Sequence, residues 1–311
     1  MIAAIWRKLF YSPYYFTIAL RRHGAMDILT GQAFEAEYVM PATYQVWQAD
    51  PILVDDSQKT YMFYEAVDND KGRIEVAEIG PDCRVSGAHV ILEDDCHYSY
   101  PFVFRRDQQW YMIPESSAAG EVRLYKAQDF PYDWCLEQVL LRQKSVDTTV
   151  FEQDGRWYLL TFLVDEGTEK VVPQAYCMDW NGERPVLLPM EWDEFDCLNV
   201  RGAGPVLKKD GVCYRPAQKS QEQRYGDSIT FFRIEHTENA YREVYAGSLL
   251  PEMVRANGVW MDGLHTYCAS ERFEAIDIRC RHFQLGKVFH AVRNLVKRTA
   301  NGGNSGKTLV E

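Results

Sequence analysis

The sequence predicts an all-β fold: a five-bladed β-propeller followed by a C-terminal amphipathic helix. Three observations predict it: a strand–turn–strand unit recurs five times, its copies are spaced by roughly 40–60 residues, and 14% of the residues are aromatic. Strand-rich repeats of this length are typical of propellers, in which each repeat forms one blade. The propeller is expected over residues 1–283, and a basic helix with a flexible tail over residues 284–311.

Each repeat has the pattern of a β-hairpin, in which aromatic and β-branched residues flank a polar turn. The clearest copy is 97–115, with strands at Phe102–Phe104 and Trp110–Ile113. The other copies begin near residues 50, 147, 204 and 265. Residues 14–20 form a strand or a short helix, and they are a candidate to close the last blade from the N-terminal side.

The segment 285–298 has helical periodicity and carries basic residues between its apolar positions. Those positions are Leu285, Val288, Phe289, Val292, Leu295 and Val296. The helix either docks on the propeller or lies on a membrane surface. The glycine- and asparagine-rich stretch 301–306 is expected to be a flexible tail.

Composition and charge restrict the partners and the compartment. A net charge of −11 argues against nucleic acid as a partner. The eight cysteines are scattered singly, without CxxC spacing, which favours reduced thiols in a cytoplasmic protein over a disulfide-bonded exported one. Basic ends at 1–24 and 285–299 flank an acidic body, so peripheral contact with the inner membrane face is expected through 285–298.

The ends of the two innermost strands of each blade meet at one mouth of a propeller channel. Residues that begin the first strand of a blade, called openers here, and residues that end the second strand therefore form a ring of candidates. His97 and Arg201 lie just before the openers of their blades and are added to it. The ring consists of Asp50, Glu65, His97, Tyr100, Glu115, Asp147, Thr161, Arg201, Ala203-Gly204, Gln218 and His265. Several acids around one pore repel each other and lose hydration, which raises pKa values as acid–base chemistry requires. Strand-start turns and structural ion pairs are the alternative explanation for these residues.

A second cluster comprises Arg215, Gln218, Arg224 and Tyr225. Together with Arg201 it would place three guanidinium groups on one side of the mouth, where they match phosphate oxygens. The alternative is that these arginines form salt bridges with the acidic ring. The sequence has no P-loop, no Rossmann glycine motif, no zinc motif and no nucleophile elbow.

The openers Ala49-Asp50-Pro51 and Val146-Asp147 resemble those of the family 43 glycoside hydrolases, which are five-bladed propellers. The resemblance implies that Asp50 is the general base and that Asp147 tunes the acid and orients the sugar. That family keeps its general acid in a Glu-Gly-Pro motif, which reads Ala203-Gly204-Pro205 in this chain. Glu115 or Glu65 would have to replace the missing acid.

A closer resemblance covers about residues 44–280. The chain resembles the N-terminal propeller domain of glucosamine inositolphosphorylceramide transferases and their stand-alone bacterial relatives. The matching phrases are Ala49-Asp-Pro, His97-x-Ser-Tyr-Pro-Phe102, Pro114-Glu-Ser-Ser117, Leu124-Tyr125, Phe130-Pro-x-x-Trp134, Arg215-Pro-Ala-Gln218, Tyr225-Gly226 and His265-Thr266. The resemblance implies a carbohydrate-linked propeller, because the transferase chemistry of the plant enzymes is attributed to a separate C-terminal domain.

Three functions follow as hypotheses. The first is a glycosyltransferase of bacterial surface polysaccharide or glycolipid assembly, with a nucleotide-sugar donor and a lipid-linked acceptor. In it Asp50 is the base, Asp147 and His97 orient sugar hydroxyls, and Tyr100 stacks beneath the ring. Arg201, Arg215 and Arg224 hold the diphosphate, which then needs no protonation to leave.

The second hypothesis is a glycoside hydrolase with Asp50 as base and Glu115 as acid. The third is a propeller that binds a glycan without catalysis. Glu65, Gln218, Tyr225 and His265 are candidate sugar contacts in each case. No cofactor or metal is expected to be required, since no ligand set in the sequence identifies the calcium ion that some propeller hydrolases carry.

Overall fold

A computed structural model describes residues 14–24, 29, 31–165, 167–168, 170–180, 184–193, 201–221, 224–236 and 240–281. The side chains of residues 220–224 and 236 are outside this description. So are the predicted helix at 285–298 and the tail that follows it, which therefore stay predictions. Within the described ranges, no helix is long and apolar enough to cross a membrane.

The described chain is built from 22 β-strands and two short 3-10 turns, Ser117–Ala119 and Pro251–Met253. The strands are β1 (Tyr15–Arg22), β2 (Phe34–Glu35), β3 (Tyr38–Val39), β4 (Val46–Asp56), β5 (Lys59–Asp68), β6 (Lys71–Ile79), β7 (Val85–Leu92), β8 (Ser99–Arg106), β9 (Gln109–Glu115), β10 (Val122–Asp129), β11 (Asp133–Leu141), β12 (Ser145–Gln153), β13 (Arg156–Val164), β14 (Val171–Asp179), β15 (Val186–Asp193), β16 (Leu207–Lys209), β17 (Val212–Gln221), β18 (Arg224–His236), β19 (Ala240–Leu249), β20 (Val254–Arg255), β21 (Met261–Ala269) and β22 (Phe273–Cys280). The predicted all-β class is confirmed.

The strands form mainly antiparallel sheets. Four predicted openers lie within strands, Asp50 in β4, Tyr100 in β8, Asp147 in β12 and His265 in β21, whereas Ala203-Gly204 lies just before β16. Three sheets have four strands each, in the orders β4-β5-β6-β7, β8-β9-β10-β11 and β21-β22-β1-β3. An eight-stranded sheet contains two further meanders, β12 to β15 and β16 to β19, joined by a parallel pairing of β15 with β19. β2 and β20 form a separate parallel pair.

The first described strand lies in the same sheet as the last two. β1 pairs with β22 in an antiparallel register that runs from Tyr15↔Cys280 to Arg22↔Phe273. The N-terminal strand therefore ties the beginning of the described chain to its end. This pairing is also what carries Phe16 to the inner part of the fold, next to β21.

The inner strands are apolar on both faces because neighbouring sheets pack on both sides of them. β5, for example, is buried at every position except its two ends. One cluster between the first two sheets includes Ile52, Phe63, Val103 and Met112, with Phe130 and Trp134 packed around it. Interdigitated aromatic and aliphatic side chains of this kind hold the sheets in a fixed relation around the central site.

A bulge recurs at the mouth end of the innermost strands. Asp50, Tyr100 and Asp147 adopt left-handed backbone conformations, with φ of 53°, 41° and 49°. At each of them the register with the next strand shifts, and a similar shift occurs in β21 between Leu264 and Tyr267. Non-glycine residues rarely adopt this conformation, and bulges redirect side chains out of the regular ladder. The backbone strain therefore coincides with three of the predicted openers.

Candidate functional site

The bulges surround a cavity of about 230 Å³. It is smaller than the roughly 300–1,000 Å³ typical of cavities for drug-sized ligands, so its volume suits one small ring. Twelve residues line it: Phe16, Trp47, Ala49, Asp50, Glu65, His97, Ser99, Glu115, Asp147, Arg201, Tyr225 and His265. Larger depressions of about 450 and 610 Å³ lie elsewhere and contain none of the predicted site residues. The central cavity, which gathers eight of them, is the candidate active site.

Asp50 is a buried carboxylate held by hydrogen bonds. Its Oδ1 accepts the hydroxyl of Thr266 at 2.7 Å, and its Oδ2 accepts the backbone N–H of Tyr100 at 3.2 Å. Burial would raise the pKa of Asp50, but His265 and these hydrogen bonds hold it below its ordinary value. Asp50 is therefore ionised at neutral pH, as a general base requires.

His265 links Asp50 to a second acid that sequence reasoning missed. Its Nδ1 lies 3.0 Å from Oδ2 of Asp277 and 3.2 Å from Oδ1 of Asp50, while its Nε2 lies 2.5 Å from the Tyr225 hydroxyl. Burial alone would lower the pKa of His265, but Tyr225, Asp277 and Asp50 together raise it well above its ordinary value. Asp277 lies on the return strand β22, opposite the opener, and that position was the signal available in the sequence.

The ligand atoms of Asp50, His265 and Asp277 lie within 4.8 Å of one another, a spacing compatible with a metal ion. The position of the His265 proton argues against one here. Nδ1 of His265 lies 3.2 Å from Asp50 and 3.0 Å from Asp277, so its N–H is directed at both carboxylates, and the imidazolium offsets one of their two negative charges. A bound cation would have to displace that proton, since a metal binds the deprotonated ring. The residues do not fit a resident metal.

Arg201 forms a fork on Asp147. Its Nε and Nη2 donate to the two carboxylate oxygens at 2.7 and 2.9 Å, and Nη2 also lies 3.7 Å from Glu115 Oε2. The guanidinium packs over the ring of Tyr225 at 5.3 Å. A bidentate pair of this geometry fixes both side chains. Arg201 thus lines the cavity as predicted, but its positive charge is compensated by the ion pair with Asp147.

Glu65 and Glu115 are two buried carboxyls in the same cavity. Burial raises the pKa of Glu65 to about 7, and the nearby charge of Asp50 acts in the same direction. Burial and the charge of Asp147 raise the pKa of Glu115 to about 7, against the opposing effect of Arg201. Beside Asp147, which is ion-paired with Arg201, the cavity therefore combines the ionised Asp50 with two carboxyls that titrate near neutrality.

Tyr100 is not a platform for a sugar ring. Its side chain is fully buried, with 0% exposure, and its hydroxyl bonds Thr149 at 2.9 Å and accepts the backbone N–H of Gly204 at 3.0 Å. It joins neighbouring sheets behind the cavity. The aromatic surface comes instead from Tyr225, which was predicted, and from Phe16 and Trp47, which were not. Phe16 reaches the site only through the pairing of β1 with β22.

Two members of the predicted phosphate cluster, Arg215 and Gln218, lie away from the cavity. Arg215 is 3% exposed and its guanidinium forms a bidentate ion pair with Glu243, with Nη2 2.8 Å from Oε2. Gln218 is buried and donates to the Gly202 carbonyl at 2.6 Å. Neither residue lines the cavity, because both face back into their own sheet. The side chain of Arg224 lies outside the described residues.

Arg215→Met is expected to destabilise the fold by about 3 kcal/mol or more, because the charge of Glu243 is then left buried without its partner. Chemical denaturation measures the change. The double variant Arg215→Met with Glu243→Leu is the control, and it should recover most of the loss. Equal destabilisation of the single and the double variant would contradict the assignment.

Comparison with known proteins decides the family. A family model described as "Glucosamine inositolphosphorylceramide transferase 1, N-terminal" matches residues 28–269. The chain belongs to this family. It is 30% identical over 227 residues to the Glucosamine inositolphosphorylceramide transferase 1 of Oryza sativa subsp. japonica, and 28% identical over 225 residues to that of Arabidopsis thaliana. In both cases the match covers 68% of this chain but only 29% of the relative.

Two solved structures illustrate the likeness in fold. The GH43_1 enzyme from Xanthomonas citri has a TM-score of 0.53 at 14% identity, covering 82% of this chain and 92% of that one. An alpha-L-arabinofuranosidase from Lactobacillus brevis has a TM-score of 0.50 at 15% identity, covering 72% of this chain and 79% of that one. At these identities the likeness concerns the fold alone. It confirms the glycosidase-like propeller class.

Proposed function

We propose that the chain is a carbohydrate-active enzyme whose central cavity binds one sugar unit and acts at its glycosidic bond. The observation that carries the proposal is an ionised Asp50 in one cavity with Glu65 and Glu115, whose pKa values are raised to about 7. Glycosidic chemistry needs a carboxylate to activate the attacking hydroxyl and a protonated carboxyl to protonate the leaving oxygen. Environments that separate the pKa values of neighbouring acids provide that combination.

The rest of the lining supports a sugar as the ligand. Trp47, Phe16 and Tyr225 offer apolar ring faces, and the carboxylates between them accept hydrogen bonds from hydroxyl groups. Asp147 is held rigid by Arg201, which suits a role in orienting the sugar. The family match and the glycosidase fold point in the same direction.

A second candidate is transfer from a nucleotide-sugar donor during assembly of a glycolipid or surface polysaccharide. The transferase names of the curated relatives and the position of Arg201 at the cavity favour it. In this case Asp50 deprotonates the acceptor hydroxyl. Arg201 is already paired with Asp147 and Arg215 with Glu243, so the described residues offer a diphosphate little uncompensated positive charge. We therefore prefer the first candidate.

The finer architecture and the setting are part of the same proposal. Counting the eight-stranded sheet as two blades gives five, which we adopt as the blade number. The scattered cysteines support a cytoplasmic location. The basic apolar pattern of 285–298 supports peripheral membrane contact near a lipid-linked acceptor, with the docked position as the alternative.

A thermal-shift screen of the purified chain tests the proposal with free monosaccharides, aryl glycosides and nucleotides. We expect a monosaccharide or its aryl glycoside to raise the melting temperature, since a ligand at a hundredfold excess over its Kd stabilises by roughly 2.7 kcal/mol. Trp47→Ala should lose the shift, whereas Trp260→Ala should keep it, because Trp260 lies outside the cavity. A shift with nucleotides alone, lost in Arg201→Ala, would support the second candidate. No shift with any ligand would contradict both.

A further inference from the structure

We infer that Glu65 is the proton donor of the central cavity, and that His97 and the backbone amide of Gly72 position it so that its proton lies on Oε2. The inference rests on the proposed function and assigns one of its two roles. Glu65 lies in β5, three residues before the strand ends at Asp68, and it pairs with Ala49 beside the bulge of Asp50. An acid and a base on adjacent strands can act on opposite sides of the same bond.

The hydrogen bonds around His97 fix its tautomer. Its Nδ1 accepts the backbone N–H of Gly72 at 3.0 Å, so Nδ1 carries no proton. The proton of the neutral ring is therefore on Nε2, which lies 3.0 Å from Glu65 Oε1 and donates to it. Oε1 is thus committed as an acceptor, and a neutral Glu65 must carry its proton on Oε2. Among the described residues, no other hydrogen bond to the side-chain carboxyl of Glu65 occurs.

Gly72 is the residue that allows this arrangement. A Cβ at this position would lie 2.6 Å from Glu65 Oε1, 2.6 Å from the Tyr98 carbonyl and 2.8 Å from His97 Cε1. Real Cβ atoms do not approach other atoms so closely, so any side chain here would displace the carboxyl–imidazole pair. The absence of a side chain at position 72 brings the β6 amide against His97. This contact is specific to Glu65 and has no counterpart at Glu115.

Glu115 is held in the opposite way. Its Oε2 accepts the backbone N–H of Asp147 at 3.2 Å and faces Arg201 at 3.7 Å, while Oε1 accepts the hydroxyl of Ser117 at 3.0 Å. Both oxygens are therefore occupied as acceptors, so neither is free to present a proton to a ligand while these neighbours are in place. Glu115 is better suited to hold the bulge of Asp147 than to release a proton.

Burial raises the pKa of Glu65 to about 7, and Asp50 on β4 acts in the same direction, while His97 before β8 and His265 on β21 oppose the shift. A substantial fraction of Glu65 therefore holds a proton at neutral pH. A proton on Oε2 then passes to the leaving oxygen as the glycosidic C–O bond breaks and its electron pair stays on that oxygen. Water or an acceptor hydroxyl attacks the anomeric carbon and gives its proton to Asp50.

The test compares Glu65→Gln with Glu115→Gln on phenyl and 2,4-dinitrophenyl glycosides of the sugar found in the thermal-shift screen. A dinitrophenolate leaves without protonation, but a phenolate needs the acid. We expect Glu65→Gln to lower kcat/KM by about 10²–10⁴-fold for the phenyl glycoside and by less than about tenfold for the dinitrophenyl glycoside. Glu115→Gln should affect both substrates alike. The reverse pattern would overturn the assignment.

The pH profile and a substrate-independent titration complete the test. The wild-type activity should fall as the pH rises through about 7, when Glu65 loses its proton. His97→Leu removes the hydrogen-bond donor that stabilises the Glu65 anion. The fall in activity should therefore occur at a higher pH in this variant than in the wild type. Side-chain ¹³C NMR on glutamate-labelled protein should show two carboxyls with pKa values of about 7, those of Glu65 and Glu115. One of the two signals should disappear in Glu65→Gln, and the same signal should shift to a higher pKa in His97→Leu.

These measurements distinguish failure of the proposed function from failure of the Glu65 assignment alone. If the wild type cleaves no glycoside, the proposed function fails, and the NMR titration still decides whether Glu65 holds a proton near neutrality. If the wild type cleaves glycosides and Glu65→Gln does so equally well on both leaving groups, the assignment of Glu65 fails alone.

Discussion

Asp50→Asn should lower glycosidic turnover by about 10²–10⁴-fold, because the amide cannot take the proton of the attacking hydroxyl. Asp50 is the acid whose pKa the site holds below its ordinary value, so it is in the reactive form across the neutral range. The measurement is kcat/KM on the aryl glycoside identified by binding, for wild type and variant at the same pH.

Asp56→Asn is the matched control, since it makes the same change on β4 outside the cavity lining. Its activity should equal that of the wild type. A retained melting-temperature shift with the sugar would show that Asp50→Asn still binds. Full turnover by Asp50→Asn would rule out its role as base, and binding without turnover by the wild type would identify a binding module.

Gly204→Ala should cost more than about 4 kcal/mol of unfolding free energy or prevent folding. Gly204 has φ of 124°, and a Cβ there would lie 2.0 Å from the backbone carbonyl oxygen of Tyr267. The β21 backbone at Tyr267 is held close to this turn, because the Tyr267 N–H donates to the Ala203 carbonyl at 2.8 Å. The result is read from denaturant unfolding or, if the variant is insoluble, from its soluble yield.

Gly211→Ala provides the comparison for Gly204→Ala. Gly211 also has a positive φ, 78°, but nothing lies within 4 Å of its Cβ position. Its substitution should cost only the conformational strain, about 1–2 kcal/mol. If the two variants were equally stable, close packing between the Ala203-Gly204-Pro205 turn and β21 would not be a requirement of the fold.

The packing of the Ala203-Gly204-Pro205 turn also explains why this chain has no general acid at that position. Ala203 is fully buried in an apolar cluster with Leu264 and Tyr267. An ionisable side chain at this position would be surrounded by apolar groups and backbone, at a high desolvation cost. The local packing therefore excludes a carboxyl where family 43 hydrolases carry theirs, and the cavity offers Glu65 and Glu115 in its place.

The sequence by itself determined the fold class and the location of the site. Period-two patterns of aromatic and β-branched residues depend on neighbours a few positions away, so the repeated hairpins were readable without tertiary information. The rule that openers meet at one mouth then placed Asp50, Asp147 and His265 together, and the cavity contains all three.

Only the tertiary structure decided which of these side chains face the cavity and in what state. The burial of Tyr100, the pairing of Arg215 with Glu243, and the presence of Phe16 and Asp277 all depend on strands far apart in the chain. Ion pairing and desolvation are set by the groups that surround an atom in space, not by its neighbours in sequence. For that reason the sequence located the ring of acids, whereas the packed sheets decided that the pKa of Asp50 is lowered and that the pKa of Glu65 is raised to about 7.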